Sequence, residues 1–244
     1  MNIAKARKIL RKDEKDFVSV EDALRECEAI WTYHGYDGEP HVLLTSALHS
    51  DGYCDVNQAM IFPQYRTAIV KYVVNALLRA NITKDNVDFI VSSSEAGRIF
   101  GQELGSQMGV ASVFTEKIIK EQVWTNRFEI PDGAIVFQAE ELITTMGTTM
   151  AVKAAVIKNN PHPFSFLMRN GKQLVVTVVH RPAQIPKTYD DYTVIAAMEK
   201  AMHAWRPDQC PICREHPDSE ALGSFKTNRA KFMEFELRFA LENT

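Results

Sequence analysis

The central part of the chain alternates short apolar runs with segments whose apolar residues recur at helical spacing. Short apolar runs bounded by polar turns are typical of buried strands, and the segments between some of them favour helices. The predicted strands are residues 87–92, 111–115, 133–137 and 174–180, and the predicted helices lie near 97–108 and 147–159. This alternation predicts an α/β domain with a parallel sheet, which binds its ligand at the carboxyl ends of the strands.

The pattern differs on both sides of this central part. Residues 1–36 are predicted to form a helical extension with a helix start at Ser19, and a break at Gly38 and Pro40 follows it. Next come a strand at 41–44 and, after Pro63, a helix whose predicted inward face is Ile69, Val70, Val73, Val74, Leu77 and Leu78. Residues 217–244 read as a helical tail with Phe225, Phe232, Phe235 and Phe239 among charged residues. The predicted main domain is therefore 37–216.

Composition and charge exclude several classes of partner. The chain has 28 Lys and Arg against 31 Asp and Glu, and the resulting net charge of -3 offers no bulk attraction to nucleic acid or to an anionic membrane. We find no apolar stretch long enough to cross a bilayer and no signal peptide, so we expect a cytoplasmic protein without a membrane partner. Four cysteines in 244 residues do not form a disulfide framework.

Three polar clusters follow predicted strands. They are residues 92–97, with three serines before a helix start, residues 140–149, and residues 180–182. Each cluster alone is typical of an ordinary polar turn. Their shared position at strand ends indicates a ligand site.

The second cluster points to a sugar phosphate. The sequence contains neither G-x-G-x-x-G after a strand nor G-x-x-x-x-G-K-[ST], so it lacks the glycines of dinucleotide and P-loop sites. Glu140 and Glu141 are expected in a strand-to-helix turn, where carboxylates accept hydrogen bonds from ribose hydroxyls. Thr144, Thr145 and Thr148, with the free N–H groups of the helix start, then hold a 5-phosphate.

Residues 140–148 (EELITTMGT), behind their apolar strand, resemble the phosphoribosyl-pyrophosphate (PRPP) motif of type I phosphoribosyltransferases. Further segments extend this resemblance to the orotate phosphoribosyltransferases. They occur in the family's order over about residues 40–216, and they are 43–53, 87–97, 113–117, Arg181 and 210–215 (CPICRE). The resemblance implies the type I phosphoribosyltransferase fold, a central parallel sheet flanked by helices with a small hood built from N-terminal and C-terminal segments.

The resemblance also implies roles for individual residues. PRPP binding falls to Glu140, Glu141, Thr144, Thr145, Met146, Gly147 and Thr148. Pyrophosphate binding falls to Ser94, Glu95, Ala96 and Gly97, and base binding to Thr45, Ser46, Tyr53 and Arg181. The catalytic candidates are Lys117, Lys120, Glu140 and Glu141, with Arg127 as a further loop cation.

The implied reaction belongs to a pentosyltransferase, which is a class of glycosyltransferase. Ribose 5-phosphate passes from PRPP to a pyrimidine base, most simply orotate, giving orotidine 5-monophosphate and pyrophosphate in pyrimidine biosynthesis. The transition state resembles an oxocarbenium ion, so the enzyme mainly aligns the reactants and stabilises the departing charge. Family resemblance implies Mg²⁺ bound through PRPP, and a homodimer in which loop lysines act across subunits.

Several residues depart from the family pattern. Glu141 replaces the usual aspartate and is one methylene longer, and a misplacement of about 1 Å can cost about 100-fold in rate. Met146 replaces a glycine; because its side chain disfavours positive φ and would crowd the phosphate, we expect the loop to bend differently or to use Gly147. Ser93, Ser94, Glu95 and Ala96 replace the usual proline, its neighbour, an apolar residue and a glycine, and Thr45 replaces a cation.

These departures leave a second function open. A catalytically weak protein of the same fold would bind PRPP or a nucleotide as a regulator, and it would release no pyrophosphate. Another carboxylated or oxo-pyrimidine also remains an alternative base.

The pair Cys210 and Cys213 raises the question of a metal. With His216 and the upstream His203 it offers four possible zinc ligands, but one C-x-x-C motif without a second pair is a weak signal. We therefore expect two reduced thiols and no metal site.

Overall fold

A computed structural model of the chain describes residues 1–223 and 225–242. Of the predicted tail, Ser224, Asn243, Thr244 and the side chains of Phe225 and Lys226 lie outside the described residues. The helices are α1 (Ile3–Ile9), α2 (Val20–Glu26), α3 (Asn57–Met60), α4 (Pro63–Arg79), α5 (Ala96–Met108), α6 (Gly147–Asn159), α7 (Pro211–Glu215) and α8 (Phe225–Glu242).

The strands come in two groups. The first group, near the N-terminus, is β1 (Ile30–Thr32), β2 (His41–Leu43), β3 (His49–Ser50) and β4 (Gly52–Cys54). The second group is β5 (Phe89–Ser92), β6 (Ala111–Phe114), β7 (Glu116–Ile118), β8 (Glu121–Val123), β9 (Ile135–Ile143), β10 (Ser165–Phe166), β11 (Met168–Arg169), β12 (Lys172–His180), β13 (Tyr192–Glu199), β14 (Ala204–Trp205) and β15 (Ala221–Gly223).

A parallel sheet forms the centre of the main domain. Its principal strands lie in the order β13-β12-β9-β5-β6, and every neighbouring pair among them is parallel. The short strand β10 pairs in parallel with the start of β9, and β11 pairs antiparallel with the start of β12. The predicted α/β fold class with a central parallel sheet is therefore confirmed.

Helices cover both faces of this sheet because alternate residues of its strands are apolar on each side. On one face, α4 and α5 bury a large cluster that includes Ile90 of β5, Phe137 of β9 and Val176 of β12. On the other face, α6 packs with Val152 and Val156 onto a cluster that includes Val136. The sheet is thus shielded from water except at its edges and strand ends.

Most predicted elements are confirmed, and a few differ from the structure. Both predicted helices of the alternation match α5 and α6, and the helix after Pro63 is α4. Leu78 of α4 was expected to face inward but is 51% exposed. Strand β13 was not predicted, and β1 lies within residues 1–36, which were expected to be helical.

Strand β9 is the largest difference from the expected elements. It extends to Ile143 rather than ending at Phe137, because β12 pairs with its whole second half, including Glu140 against Thr177 and Leu142 against Val179. Pairing with β12 alone carries the strand beyond Ala139, where β5 ends, through polar residues that would otherwise favour a turn. Glu140 and Glu141 therefore lie in the strand, and their predicted position in the turn is wrong.

A small hood stands beside the sheet, as the resemblance implied. It consists of the four-stranded sheet β14-β3-β2-β15 and the antiparallel pair β1-β4, so it combines N-terminal with C-terminal segments. Helix α8 packs on it, with the rings of Trp31 and Phe232 4.8 Å apart. The predicted tail is thus helical over its described part.

The N-terminal helices contribute to the main core. Ile9 of α1 and Leu24 of α2 are fully buried in the cluster that also holds α4. The division at residues 36 and 216 stays a prediction, although side-chain packing continues across the first boundary. Over the described ranges 1–223 and 225–242, we find no helix with the length and apolar character that a membrane crossing requires.

Candidate active site

The three polar clusters meet at the carboxyl edge of the sheet, where β5, β9 and β12 end. Ser93 Oγ, just beyond β5, donates a hydrogen bond of 2.6 Å to Glu140 Oε2 on β9. The backbone N–H of Arg181, just beyond β12, donates a hydrogen bond of 2.7 Å to the carbonyl of Ile143. Residues far apart in sequence thus form one site because parallel strands align their ends.

Glu140 is a buried carboxyl with an unused oxygen. Its Oε2 is occupied by Ser93, whereas its Oε1 is buried and accepts no hydrogen bond from the described residues. The pKa of Glu140 is raised to about 8, mainly by burial, against the lowering effect of the Ser93 hydrogen bond and with a smaller contribution from the charge of Glu141. Gly97 makes this packing possible, because a Cβ there would lie 2.3 Å from Ser93 Oγ and 3.2 Å from Glu140 Oε2.

Glu141 lies on the opposite side of β9, since successive side chains of a strand alternate. The pKa of Glu141 is raised to about 7, mainly by burial and to a smaller extent by the negative charges of Asp55 and Glu95. The site therefore gathers carboxyl groups that repel one another. Donated hydroxyl hydrogens or a divalent cation would relieve the repulsion.

The loop between β9 and α6 has the geometry of a phosphate site. Helix α6 has Met146 as its N-cap, which provides no side-chain hydrogen bond, so the first N–H groups of the helix have no side-chain acceptor from it. Thr145, Gly147 and Thr148 are exposed around this helix start, and Thr144 is half-buried. An anion placed there meets both free N–H groups and the positive end of the helix dipole.

The backbone conformation of Met146 differs from the one expected from the sequence. It takes the left-handed conformation itself, with φ 67°, and Gly147 is already the first residue of the helix. Its side chain turns inward and packs with Ile143, Val175 and Tyr192, so it does not crowd the helix start. The expectation that the loop bends differently or uses Gly147 is therefore wrong.

A pocket of about 320 Å³ lies beyond the end of β5. It brings Ser94 and Glu95 of the predicted pyrophosphate loop together with Lys117 and Arg127. Arg98 also lines it, with its guanidinium 4.9 Å from the ring centre of Phe114, and sequence reasoning missed this residue. The sequence did contain a signal for Arg98, because it is a basic residue in the first turn of a helix that follows a serine-rich loop.

Other predicted pyrophosphate and loop residues lie in different settings. Glu95 is exposed and takes φ 60°, which is a strained conformation for a residue with a side chain. Lys120 is exposed in the turn between β7 and β8 and lines a separate pocket with α6, so the structure does not bring it to Ser94 and Glu95 within one chain. Arg127 Nε is bound to Glu116 at 2.8 Å.

Arg181 is largely buried and carries an unused donor. Its Nη1 donates to the carbonyl of Gly52 at 3.4 Å and contacts Met202 Sδ at 3.5 Å, while Nε is buried without an acceptor. Within residues 1–223 and 225–242, no carboxylate forms an ion pair with it. Burial lowers the pKa of the guanidinium, although an arginine stays charged in proteins.

The predicted base-binding residues are only partly assembled around Arg181. Tyr53 adjoins Gly52, and burial, followed by the charges of Asp55 and Cys54, raises the pKa of its phenol to about 12, so it is a neutral donor. Thr45 and Ser46 are exposed in the turn between β2 and β3. Neither accepts a hydrogen bond from Arg181 among the described contacts.

A further group supports the phosphate loop and was not predicted. Tyr189 Oη lies 3.0 Å from His180 Nε2 and donates a hydrogen bond of 3.4 Å to the carbonyl of Thr144. Lys187 lines a pocket of about 590 Å³ together with Thr144 and Thr145, which adds a cation beside the helix start. No periodic pattern or motif marks these residues in the sequence.

Comparison with known proteins agrees with this geometry. A search of family models finds no match. The orotate phosphoribosyltransferase of Chlorobium phaeobacteroides (strain DSM 266 / SMG 266 / 2430) is 27% identical over 189 residues, which cover 76% of this chain and 88% of that protein. The orotate phosphoribosyltransferase of a Nitratiruptor species is 25% identical over 201 residues, which cover 82% of this chain and 98% of that protein.

Among solved structures, orotate phosphoribosyltransferase from Aeropyrum pernix aligns with a TM-score of 0.51 at 10% identity, over 74% of this chain and 93% of that chain. The fold is therefore that of the type I phosphoribosyltransferases. Within this fold, the curated relatives are orotate phosphoribosyltransferases, and the predicted resemblance to that family is confirmed.

Proposed function

We propose that this protein is a phosphoribosyltransferase that transfers ribose 5-phosphate from PRPP to orotate, giving orotidine 5-monophosphate and pyrophosphate. The observation that carries the proposal is the setting of Arg181, a largely buried cation without an ion-pair partner among the described residues. Its backbone N–H donates a hydrogen bond to the carbonyl of Ile143, the residue before the proposed phosphate loop. The curated relatives, which are orotate phosphoribosyltransferases, support the same reaction.

In this proposal the strand β9 and helix α6 hold the ribose 5-phosphate. The 5-phosphate binds the N–H groups and hydroxyls at the start of α6, among them those of Thr145 and Thr148. The ribose hydroxyls donate to Glu140 and Glu141, and the unused Oε1 of Glu140 is an acceptor ready for such a bond. Both contacts keep the anomeric carbon fixed while the two reactants are aligned.

Mg²⁺ bound through PRPP is part of the proposal. Glu140 and Glu141 fit it, because their raised pKa values and the nearby Asp55 and Glu95 describe a site that favours added positive charge. When bound, the ion would neutralise charge on the pyrophosphate and the ribose hydroxyls. Arg98, Lys117 and Arg127 are cations of the chain that surround the pocket where pyrophosphate would leave.

The base binds between Arg181 and the segment after β3. A guanidinium grips a carboxylate with two parallel hydrogen bonds, and Arg181 has a buried Nε that lacks an acceptor. Removing a charged group from water costs several kcal/mol unless another group pairs with it. An anionic base such as orotate supplies the missing partner, whereas uracil does not.

We further propose that the enzyme acts in the cytoplasm as a homodimer. The position of Lys120, away from the pyrophosphate pocket of its own chain, suits a lysine that serves the other subunit. Mixing a Lys120→Ala variant with a variant inactivated at Glu140 tests this point. Recovery of activity in the mixed dimers would support shared sites, and no recovery would assign each site to one chain.

The deciding experiment measures pyrophosphate release with PRPP and Mg²⁺ against orotate, uracil and adenine. We expect pyrophosphate release with orotate at a rate at least about 100-fold above the rate with uracil or adenine, because a buried guanidinium left without a partner costs roughly 3 kcal/mol. If calorimetry shows PRPP binding but no base causes pyrophosphate release, the proposal is contradicted, and the protein is instead a regulator that binds PRPP without catalysis. Release with uracil at the same rate would retain the chemistry and exclude orotate as the preferred base.

A further inference from the structure

Four metal-ligating side chains converge in the hood, apart from the proposed active site. His41 lies on β2, His49 on β3, and Cys210 and Cys213 lie at the start and in the middle of the segment that forms α7. Their ligand atoms all lie within 4.8 Å of one another, and three of the four residues are buried. Strand β2 thus supplies one histidine and its hairpin partner β3 supplies the other. The C-terminal turn at α7 supplies both sulfurs.

The histidines of this cluster differ from those that the sequence suggested. His203 is exposed and its Nδ1 lies 2.7 Å from Asp51 Oδ2, and His216 packs its ring on Tyr33. Neither belongs to the cluster. The two sulfurs are those expected, but their partners come from about 170 residues upstream, with separations of 169 and 164 residues for Cys210–His41 and Cys213–His49.

The three sulfur–nitrogen distances match those of a tetrahedral metal site, and the distance between the two nitrogens is a few tenths of an ångström shorter. Zinc bound at about 2.0 Å to nitrogen and 2.3 Å to sulfur places its ligand atoms about 3.3 to 3.8 Å apart. His41 Nε2 lies 2.9 Å from His49 Nδ1, and Cys213 Sγ lies 3.4 Å and 3.3 Å from these two nitrogens. Cys210 Sγ lies 3.8 Å from His41 Nε2.

The protonation of His41 favours a metal over a purely hydrogen-bonded cluster. Ser219 Oγ donates its hydrogen to the carbonyl of Glu39 at 2.6 Å, so it accepts the Nδ1–H of His41 at 2.9 Å. This leaves Nε2 with a lone pair that can accept one hydrogen bond, although three ligand atoms crowd around it. A histidine held by a hydrogen bond at its other nitrogen is the usual arrangement of a metal ligand.

We propose that His41, His49, Cys210 and Cys213 bind one Zn²⁺ ion at a closed structural site. Two thiolates and two imidazoles are a ligand set that zinc prefers, and four protein ligands leave no position for a substrate. The ion ties the hairpin β2-β3 to the α7 turn, and so joins the N-terminal and C-terminal parts of the hood. Strand β4 begins at Gly52, one residue after this hairpin, and the carbonyl of Gly52 accepts a hydrogen bond from Arg181. The metal site therefore also fixes one wall of the proposed base pocket.

The test measures metal content in protein purified under reducing conditions without a metal column. We expect about one zinc per chain in the wild type and in two controls, His203→Gln and Cys27→Ala, which change a histidine and a buried cysteine outside the cluster. Cys213→Ser and His49→Gln should lose at least about nine tenths of the metal. Retention of zinc in both cluster variants would overturn the proposal, and so would loss of zinc in His203→Gln.

A second measurement does not depend on the folding of the variants. The wild-type protein is stripped of metal with a chelator under reducing conditions and titrated with Co²⁺. We expect saturation at about one ion per chain, with the visible bands of tetrahedral cobalt and a thiolate charge-transfer band that Cys27→Ala retains. Wild-type protein that contains no zinc and shows no thiolate band with Co²⁺ would refute the site, whatever the variants do.

Discussion

At the scale of single residues, the proposed active site is marked by ionisable groups that the described part of the chain leaves without full partners. Glu140 has one buried oxygen unused, and Arg181 has a buried Nε without an acceptor. Such groups cost free energy in the unliganded protein, because burial removes water and nothing replaces it. Ligand binding recovers this cost, which is how the site couples stability to substrate.

The first prediction concerns Arg181. Arg181→Lys removes the planar fork, so we expect the KM for orotate to rise at least about 10-fold while the KM for PRPP changes less than about threefold. Arg181→Ala should raise the KM for orotate further. Steady-state kinetics with each substrate varied in turn checks this, and an equal rise for both substrates would remove Arg181 from the base site.

The second prediction concerns the pH dependence of stability. The native pKa of Glu140 is about 8, above the ordinary value of 4.5 in the unfolded chain, so the native state holds the extra proton between these limits. The free energy of unfolding should therefore fall as pH rises from about 5 to about 8, by a few kcal/mol, since one pKa unit corresponds to roughly 1.4 kcal/mol. Glu140→Gln should reduce this slope in urea unfolding at pH values of about 5.5, 7 and 8.5, and Glu141, whose pKa is also raised, contributes part of the slope that remains. An unchanged slope would contradict a raised pKa at this residue.

At the scale of elements, the connection between β9 and α6 combines strain with packing. The left-handed backbone of Met146 costs about 1 kcal/mol, and its buried side chain offsets this by packing with Ile143, Val175 and Tyr192. The helix start thus keeps the geometry that a glycine would provide. The departure from the family pattern at Met146 therefore does not prevent a left-handed residue immediately before the helix.

The third prediction separates these two contributions. Met146→Ala loses the packing and keeps the strain, so we expect a loss of about 2 to 4 kcal/mol in the free energy of unfolding. Met146→Gly loses the same packing but removes the strain, and should be about 1 kcal/mol more stable than the alanine variant. Turnover in Met146→Gly should stay within about twofold of wild type. A large gain in turnover would show that the methionine impairs the loop.

At the scale of the whole molecule, the two ends of the chain hold the hood together. Strand β15 pairs with β2, and helix α8 buries Phe232 fully against Trp31. Arg25 of α2 pairs with Glu236 of α8, so the helix also contacts the N-terminal segment. The hood, and with it the wall around Gly52, depends on contacts between residues about 200 positions apart.

The fourth prediction tests whether α8 is part of the cooperative fold. Phe232→Ala should lower the free energy of unfolding by about 3 to 5 kcal/mol, because a large buried ring is replaced by a cavity. Leu237→Ala, on the exposed side of the same helix, should change it by less than about 0.5 kcal/mol. Chemical denaturation of both variants checks this, and equal small effects would define α8 as a separate appendage.

The sequence by itself determined the alternation of strands and helices, the start of α6 after a polar connection, and the position of Arg181 at the end of a strand. Each of these depends on neighbouring residues: hydrophobic periodicity, helix starts and short motifs are local properties of the chain. For this reason β12, α5 and α6 are confirmed within a few residues of their predicted bounds.

Only the tertiary structure decided the rest. Glu140 continues a strand because β12 pairs with β9 beyond the end of β5. Met146 takes a left-handed conformation because its side chain packs in a buried cluster, and Cys210 and Cys213 meet His41 and His49 rather than His203 and His216. In each case the deciding partner lies on another element. Local propensities are worth about 1 kcal/mol or less per residue, and burial against a distant element outweighs them.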